Sequence, residues 1–203
     1  MTEMLDKDII DRVNDGDAEA FEELVRRYEK TVFNIALRMV GDRDDAADMT
    51  QEAFIKAYGS LGSFQGNSRF SVWLYRITTN VCLDHLRAKA RKKQVPLGLA
   101  DDAEQELDIP DMREMPEEQL MRKLSMQAVQ RGLERLAPEH RQILIMRELG
   151  GMSYAEISSA LSLEEGTVKS RIFRARKNLC AFLLADGNIP DSIASKKRKG
   201  GDR

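Results

Sequence analysis

Basic, hydroxyl and aromatic side chains share one face of the last helix that the sequence predicts, over about residues 165–184. At about 100° per residue, its opposite, apolar side carries Val168, Ile172, Ala175 and Leu179. A phenylalanine beside cations suits a helix in the major groove, where it can contact a thymine methyl while arginine reaches guanine. The alternative is a basic surface helix of a bundle. The predicted DNA-reading face comprises Lys169, Ser170, Phe173, Arg174 and Lys177, flanked by Arg171 and Arg176.

A second set of groups could bind single-stranded nucleic acid. The segment SLGSFQGNSRF breaks the helical period and predicts a loop bounded by Phe64 and Phe70. Rings can stack on unpaired bases, cations can neutralise the backbone, and an amide can read a base edge. Together with the basic run at 87–93, this pattern favours a nucleic-acid surface, although a tryptophan is often part of a core. One face of the helix after the loop carries Trp73, Arg76, Asn80 and Arg87.

An acidic rim surrounds an exposed aliphatic residue, Ile55, on a helix predicted over about residues 44–58. Such a face fits a basic protein partner, because the charges steer the encounter and the isoleucine fills a pocket. An ordinary solvated face is the alternative, and a carboxylate metal cluster of Asp44, Asp45, Asp48 and Glu52, as in a nuclease, is a third. The acidic rim consists of Asp44, Asp45, Asp48, Gln51 and Glu52.

Helical periodicity positions these three faces. Apolar residues recur at three- and four-residue steps from Phe21 to Met39, which predicts a helix ending near Gly41. Further helices are predicted over about residues 117–136, from Pro138 to the glycines at 150–151, and over YAEISSAL, where Ser153 and Glu156 fit a capping box. The apolar stripe of the helix over 44–58 consists of Ala46, Met49, Ala53, Phe54 and Ala57.

Composition and charge divide the chain into segments. Only 13 Gly, five Pro and 6% aromatic residues in 203 argue against a strand-rich barrel and favour an all-α protein. Residues 94–118 contain three Pro and nine acidic groups against one basic group, which is typical of a solvated linker. Residues 119–203 hold 16 basic and nine acidic groups, which favours a polyanion partner. We therefore predict two small helical domains, at 1–93 and 119–184, a flexible acidic linker at 94–118, and a basic, disordered tail at 185–203.

Several classes of protein are disfavoured. The acidic start of the chain lacks the features of a signal peptide, and no apolar run approaches the roughly 18 residues of a membrane span, so we expect a cytoplasmic protein. Cys82 and Cys180 lie far apart in helical patterns and are expected to be free thiols. We predict no catalytic residue, metal or cofactor.

Three motifs in this order resemble a known family. DDAADMTQEAF, SFQGNSRFSVWLYRITTN and, after the acidic linker, SYAEISSALSLEEGTVKSRIFRARKNL are similar to bacterial RNA polymerase sigma factors of the sigma-70 family, in its extracytoplasmic-function (ECF) group. The resemblance covers about residues 8–184. It implies a sigma-2-like bundle that melts and reads the minus-10 promoter element, and a sigma-4-like helix-turn-helix that reads the minus-35 element. It also implies three partners, namely core RNA polymerase through its beta-prime and beta subunits, promoter DNA, and an anti-sigma factor.

The resemblance assigns roles to matching positions. It implies that Asp48, Gln51 and Glu52, with Asp45 and Ile55 beside them, face the coiled coil of the beta-prime subunit. Phe64, Asn67, Ser68 and Asn80 would form the pocket for a flipped non-template base, with Trp73 and Arg76 beside the separating strands. Lys169, Ser170, Phe173 and Arg174 would contact minus-35 bases, and Arg171 and Arg176 the phosphates. The family often has Gly where this chain has Ser162, and Ser where it has Glu164.

Three rival functions can be distinguished from promoter recognition. A repressor or activator would bind duplex DNA without polymerase. A metal-dependent nuclease would cleave nucleic acid until a chelator was added. A regulatory adaptor without a nucleic-acid role would keep its activity when Lys169, Phe173 and Arg174 were replaced by Ala.

Overall fold

Helices form every regular element in the two ranges of the chain that the computed structural model describes, residues 5–94 and 117–185. The first range contains α1 (Asp6–Asn14), α2 (Phe21–Val40), α3 (Arg43–Ser60) and α4 (Phe70–Gln94), with short 3-10 turns at Ala18–Ala20 and Leu61–Ser63. The second contains α5 (Glu117–Glu134), α6 (Pro138–Glu148), α7 (Tyr154–Leu161) and α8 (Glu165–Ala185). The all-α prediction is confirmed. Most of the predicted linker and almost all of the predicted tail lie outside the described residues.

Helix α1 was missed by the sequence analysis. Its Ile9 and Ile10 are buried, and Val13 packs against the same core. Its Asp6 accepts hydrogen bonds at 2.5 Å from Arg27 and Tyr28 of α2. Ile9, Ile10 and Val13 lie at the three- and four-residue steps of an amphipathic helix, so the sequence carried a signal for α1 that was overlooked.

The first half is a bundle of α2, α3 and α4. All five residues predicted as the apolar stripe of α3 are buried, which confirms that assignment. Helix α2 ends at Gly41, whose φ of 88° lies in the left-handed region that favours glycine. The Asp42 carboxylate then accepts a hydrogen bond from the Asp45 amide and caps α3.

The second half is a helix-turn-helix unit. The predicted capping box is confirmed, because the Ser153 side chain accepts from the Glu156 amide while the Glu156 carboxylate accepts from the Ser153 amide. Helix α7 ends at Ser162, which has a φ of 52° where glycine would be unstrained. Helix α8 then buries Val168, Ile172 and Ala175 as predicted.

The two halves share one hydrophobic core. A single cluster of buried residues joins Met39 of α2 and Leu74 of α4 with Ile143, Met146 and Ile157 of the second half. Within the described ranges no helix is long and apolar enough to cross a membrane.

Candidate polymerase and nucleic-acid interfaces

The acidic face of α3 is open to solvent around its isoleucine. The Ile55 side chain is 71% exposed, whereas the residues of the apolar stripe on the other side of α3 are buried. Asp48 and Gln51 are exposed beside it, and Glu52 is half-buried and pairs with Lys56 at 2.7 Å. An exposed aliphatic group ringed by polar and anionic groups can dock on a partner that offers an apolar pocket with basic surroundings.

Asp45 lies at the edge of this face and is already engaged by α4. Lys89 Nζ donates to Asp45 Oδ2 at 3.0 Å. Burial raises the pKa of Asp45, but the hydrogen bonds and charges of Lys89 and His85 together lower it more, so the pKa falls below its usual value. Among the described residues, no group of three or more His, Cys, Asp or Glu side chains is arranged to hold a metal ion.

A cavity of about 550 Å³ lies beside the loop between α3 and α4. Phe64, Asn67, Ser68, Trp73 and Arg76, all predicted to bind the minus-10 element, line one side of it. The rings of Phe64, Phe70 and Trp73 pack against one another, with centroids between 5.3 and 5.8 Å apart. Rings and a guanidinium beside exposed amide and hydroxyl groups form a pocket that could hold an unstacked base.

The opposite wall of this cavity belongs to the second half of the chain. Ala155, Glu156, Ser159 and Ala160 of α7 complete the lining. Trp73 is only 9% exposed and its ring packs against Phe64 and Phe70, so the open aromatic face expected from the sequence is largely buried.

Asn80 and Arg87, also predicted to face DNA, contact α6. Gln142 Nε2 donates to Asn80 Oδ1 at 3.0 Å and to Thr79 Oγ1 at 3.2 Å. Arg87 pairs with Glu139 at 3.2 Å. The sequence analysis missed Gln142 and Glu139, which carry no local signal of such a role.

The predicted DNA-reading face of α8 remains open. Phe173 is 68% exposed, and Lys169, Arg174 and Arg176 are exposed around it, while Ser170 and Arg171 are half-buried. Arg176 donates to Glu148 at 2.5 Å, and Lys169 pairs with Glu165 at 2.7 Å. The hydrogen bond to Glu165 raises the pKa of Lys169, which keeps this side chain positively charged. The exposed Phe173 ring among cations is typical of a helix that binds duplex DNA rather than of one that faces only solvent.

Comparisons with known proteins agree with this geometry. Residues 24–92, which span most of α2 through α4, match the family model Sigma-70 region 2. Residues 126–179, within α5 to α8, match the model Sigma-70, region 4. The chain is 38% identical over 180 residues to the RNA polymerase sigma-H factor of Pseudomonas aeruginosa, covering 87% of this chain and 93% of that one. It is 40% identical over 180 residues to the ECF RNA polymerase sigma-E factor of Escherichia coli, covering 87% and 94%.

The chain belongs to the ECF sigma factors. Two solved structures extend the likeness. CnrH in complex with the cytosolic domain of CnrY has a TM-score of 0.64 and 26% identity, covering 89% of this chain and 98% of that one. The sigma factor RpoE of Bartonella quintana, in complex with the anti-sigma factor NepR, shares the fold with a TM-score of 0.61 and 23% identity, covering 82% and 98%.

The sigma factor therefore directs promoter-specific initiation by RNA polymerase. Its region 2 contains the acidic face of α3 and the loop and helix predicted to read the minus-10 element. Its region 4 contains the helix-turn-helix with the exposed basic face of α8.

Proposed function

We propose that this sigma factor uses two exposed hydrophobic residues of opposite electrostatic surroundings for two different partners. Ile55 stands among acidic groups and fits a protein surface, whereas Phe173 stands among cations and fits DNA. This contrast is the observation that carries the proposal. Each is far more exposed than the residue before it in the chain, since Phe54 is 8% exposed and Ile172 is 1% exposed.

The polymerase contact is assigned to α3. Asp48, Gln51 and Glu52 meet the beta-prime coiled coil, and Ile55 fills an apolar pocket on it. Asp45 contributes at the edge of this face, where its carboxylate also accepts a hydrogen bond from Lys89.

The minus-10 element is assigned to the cavity and the adjoining face of α4. A flipped non-template base enters among Phe64, Asn67, Ser68 and Asn80, while Trp73 and Arg76 hold the separating strands and Arg87 the backbone. Each captured base contributes about 1–3 kcal/mol by stacking. Unpairing costs a few kcal/mol, so the capture needs polymerase to supply affinity.

The minus-35 element is assigned to α8. Lys169, Ser170, Phe173 and Arg174 face bases in the major groove, and Arg171 and Arg176 face phosphates. Arg176 exchanges its intramolecular partner Glu148 for a phosphate on binding.

An anti-sigma factor completes the set of partners. The sigma factor RpoE was solved with the anti-sigma factor NepR, and CnrH was solved with the cytosolic domain of CnrY. The similarity to both spans more than four-fifths of this chain, which supports an inhibitor of the same kind here.

Run-off transcription with purified core polymerase and a promoter library tests the proposal. We expect promoter-specific transcripts only when this chain is added, with permanganate-reactive thymines marking a melted minus-10 region. A chain that bound the same duplexes equally well without polymerase, and opened no bubble with it, would be a duplex-binding regulator instead.

Replacing Ile55 by Ser tests the polymerase contact. We expect about tenfold weaker binding to core polymerase, since central apolar anchors of an interface contribute disproportionately. Leu5→Ser is the control, because Leu5 is 69% exposed and lies on α1's side of the bundle at the start of that helix. Equal affinity of the two variants for the core would remove α3 from the interface.

A further inference from the structure

Helix α8 begins with an acidic residue to which the proposed function gives no role. Glu165 is the first residue of the helix, and its side chain is 48% exposed. Its carboxylate oxygen Oε1 lies 2.7 Å from Nζ of Lys169, one turn further along the helix. Lys169 belongs to the face assigned to minus-35 bases, so an anion stands directly beside a cation that reads bases.

The ion pair lies on the same ridge of α8 as the exposed phenylalanine. Glu165, Lys169 and Phe173 follow one another at four-residue steps, and all three are exposed. A recognition helix lies in the major groove with its N-terminal residues at the base edges. The carboxylate and the ammonium therefore enter the groove together.

The position of the Lys169 ammonium is fixed from two sides. Its Nζ atom lies 5.8 Å from the centroid of the Tyr154 ring, at the distance of a cation–π contact. Tyr154 is the first residue of α7, so Lys169 is held between its own helix and the preceding one. Side chains that are already ordered lose less conformational entropy on binding than free ones. The pair is thus prepared for a partner of fixed geometry.

One kind of base pair offers groups that match both members of the ion pair. In the major groove, cytosine presents an amino group that donates, and guanine presents O6 and N7, which accept. A carboxylate accepts from the cytosine amino group, and a lysine donates to guanine. An A·T pair in the same orientation fits poorly, because the adenine amino group faces the ammonium and thymine O4 faces the carboxylate.

The charge of the pair favours selectivity over affinity. Duplex DNA carries one phosphate charge for about every 1.7 Å of its axis, so a lone carboxylate at the leading end of α8 would weaken binding to every sequence. Lys169 cancels the charge of Glu165, and the pair as a whole attracts phosphates no more than a neutral group does. Its contribution to DNA binding then depends on the base pair that it meets.

We propose that Glu165 is a specificity-determining residue of region 4, and that the Glu165–Lys169 pair reads one G·C base pair of the minus-35 element by accepting from the cytosine amino group. The proposal rests on the proposed binding of α8 in the major groove. It adds the base pair that is selected and the residue that selects it. A pair with a structural role alone would stabilise the helix and affect binding to all sequences equally.

Two matched variants separate base reading from the effect of charge. Glu165→Ala removes the acceptor, and α8 is retained because alanine is the best helix former. Glu164→Ala is the control, since it makes the same charge change at an exposed neighbour about 140° from Lys169 around the helix axis. Both variants remove one repulsion of phosphates, so the ratio of affinities for two duplexes isolates the reading of bases.

Binding is measured by fluorescence anisotropy with holoenzyme assembled from core polymerase and the full chain. The starting duplex is a promoter selected by run-off transcription, and its minus-35 base pairs are exchanged one at a time. For the unaltered chain we expect one G·C pair whose exchange for A·T weakens binding about tenfold, as for one good base contact. Glu165→Ala should reduce this factor to about threefold, because Lys169 still donates to guanine.

Methylation of the cytosine amino group at that base pair tests the carboxylate directly. N4-methylcytosine keeps its pairing with guanine but presents a methyl group in the major groove in place of the donated hydrogen. We expect about fivefold weaker binding of the unaltered chain and of Glu164→Ala, and a change of less than about 1.5-fold for Glu165→Ala. Equal sensitivity of Glu165→Ala and the unaltered chain to the methyl group would overturn the proposal. A uniform loss over all duplexes, or no preferred G·C pair in the unaltered chain, would also overturn it.

These results are separable from the proposed function. A chain that initiates promoter-specific transcription, yet keeps its G·C preference in Glu165→Ala, retains the function and loses this assignment. A chain that initiates no transcription with core polymerase loses the proposed function. The same exchanges, made in a duplex selected by the free chain, then decide whether Glu165 reads the base pair.

Discussion

Replacing Phe173 by Ala should separate DNA recognition from folding. The ring is 68% exposed, so only about a third of the 1.5–3 kcal/mol that full burial of such a side chain provides is at stake, or about 0.5–1 kcal/mol. Its neighbour Ile172 is 1% exposed, and Ile172→Ala should reduce the free energy of unfolding by about 2–4 kcal/mol. The two variants therefore differ in stability although their positions are adjacent in α8.

Binding to DNA should be weakened more by Phe173→Ala than by Ile172→Ala. Loss of one good base contact corresponds to about 1–3 kcal/mol, so Phe173→Ala should weaken binding of the polymerase holoenzyme to a minus-35 duplex about tenfold. The duplex is taken from a promoter selected by run-off transcription. Urea unfolding followed by circular dichroism measures stability, and fluorescence anisotropy measures binding.

Two results would refute the reasoning. A Phe173→Ala variant that lost as much unfolding free energy as Ile172→Ala would show that the ring is packed in the fold. A stable Phe173→Ala variant that bound the duplex as tightly as the unaltered chain would show that this ring does not contact the minus-35 element.

Three further predictions concern buried and titrating groups. Arg141→Met should lower the free energy of unfolding by about 3 kcal/mol, because two backbone carbonyls lose a charged donor. The control Arg91→Met, at an exposed position of α4, should change it by less than about 0.5 kcal/mol. Equal losses of the two variants in urea unfolding would contradict this. The backbone hydrogen bond from Ser153 and the contact with Arg69 lower the pKa of Glu156 from its usual 4.5, so the stabilisation is complete above that value and disappears as pH falls through the lowered pKa. The stability difference between the unaltered chain and Glu156→Gln should therefore shrink in urea unfolding below pH 4.5, and a difference that grew there would have the wrong sign. Burial raises the pKa of the Cys82 thiol to about 12, so iodoacetamide at neutral pH should modify only the exposed Cys180 in the native chain and both thiols in urea. Mass spectrometry of peptides identifies the modified thiols. Modification of Cys82 in the native chain would show that α4 opens readily.

Motifs and helical periodicity were enough to identify two separate surfaces, the acidic face of α3 and the basic face of α8. The stripe of α3 was predicted residue by residue, and so were the outward position of Ile55 and the buried side of α8 at Val168, Ile172 and Ala175. These succeed because each helix buries one stripe against neighbours in its own half, and the period of 3.6 residues records that stripe directly. Capping signals such as Ser153 and Glu156 succeed for a similar reason, since they act within a single turn.

Helix α4 shows what local patterns could not determine. Periodicity assigned Trp73 to an open face of α4, but Trp73 is buried, and so is Thr79 next to Asn80. Thr79 accepts a hydrogen bond from Gln142 of α6, a polar side chain with no periodicity that points to a partner. Polar contacts between segments distant in the chain depend on how the two folded halves pack against each other. The sequence alone therefore determined which surfaces this protein possesses, whereas only the tertiary structure decided that one of them is covered, because that outcome depends on the packing of one half against the other.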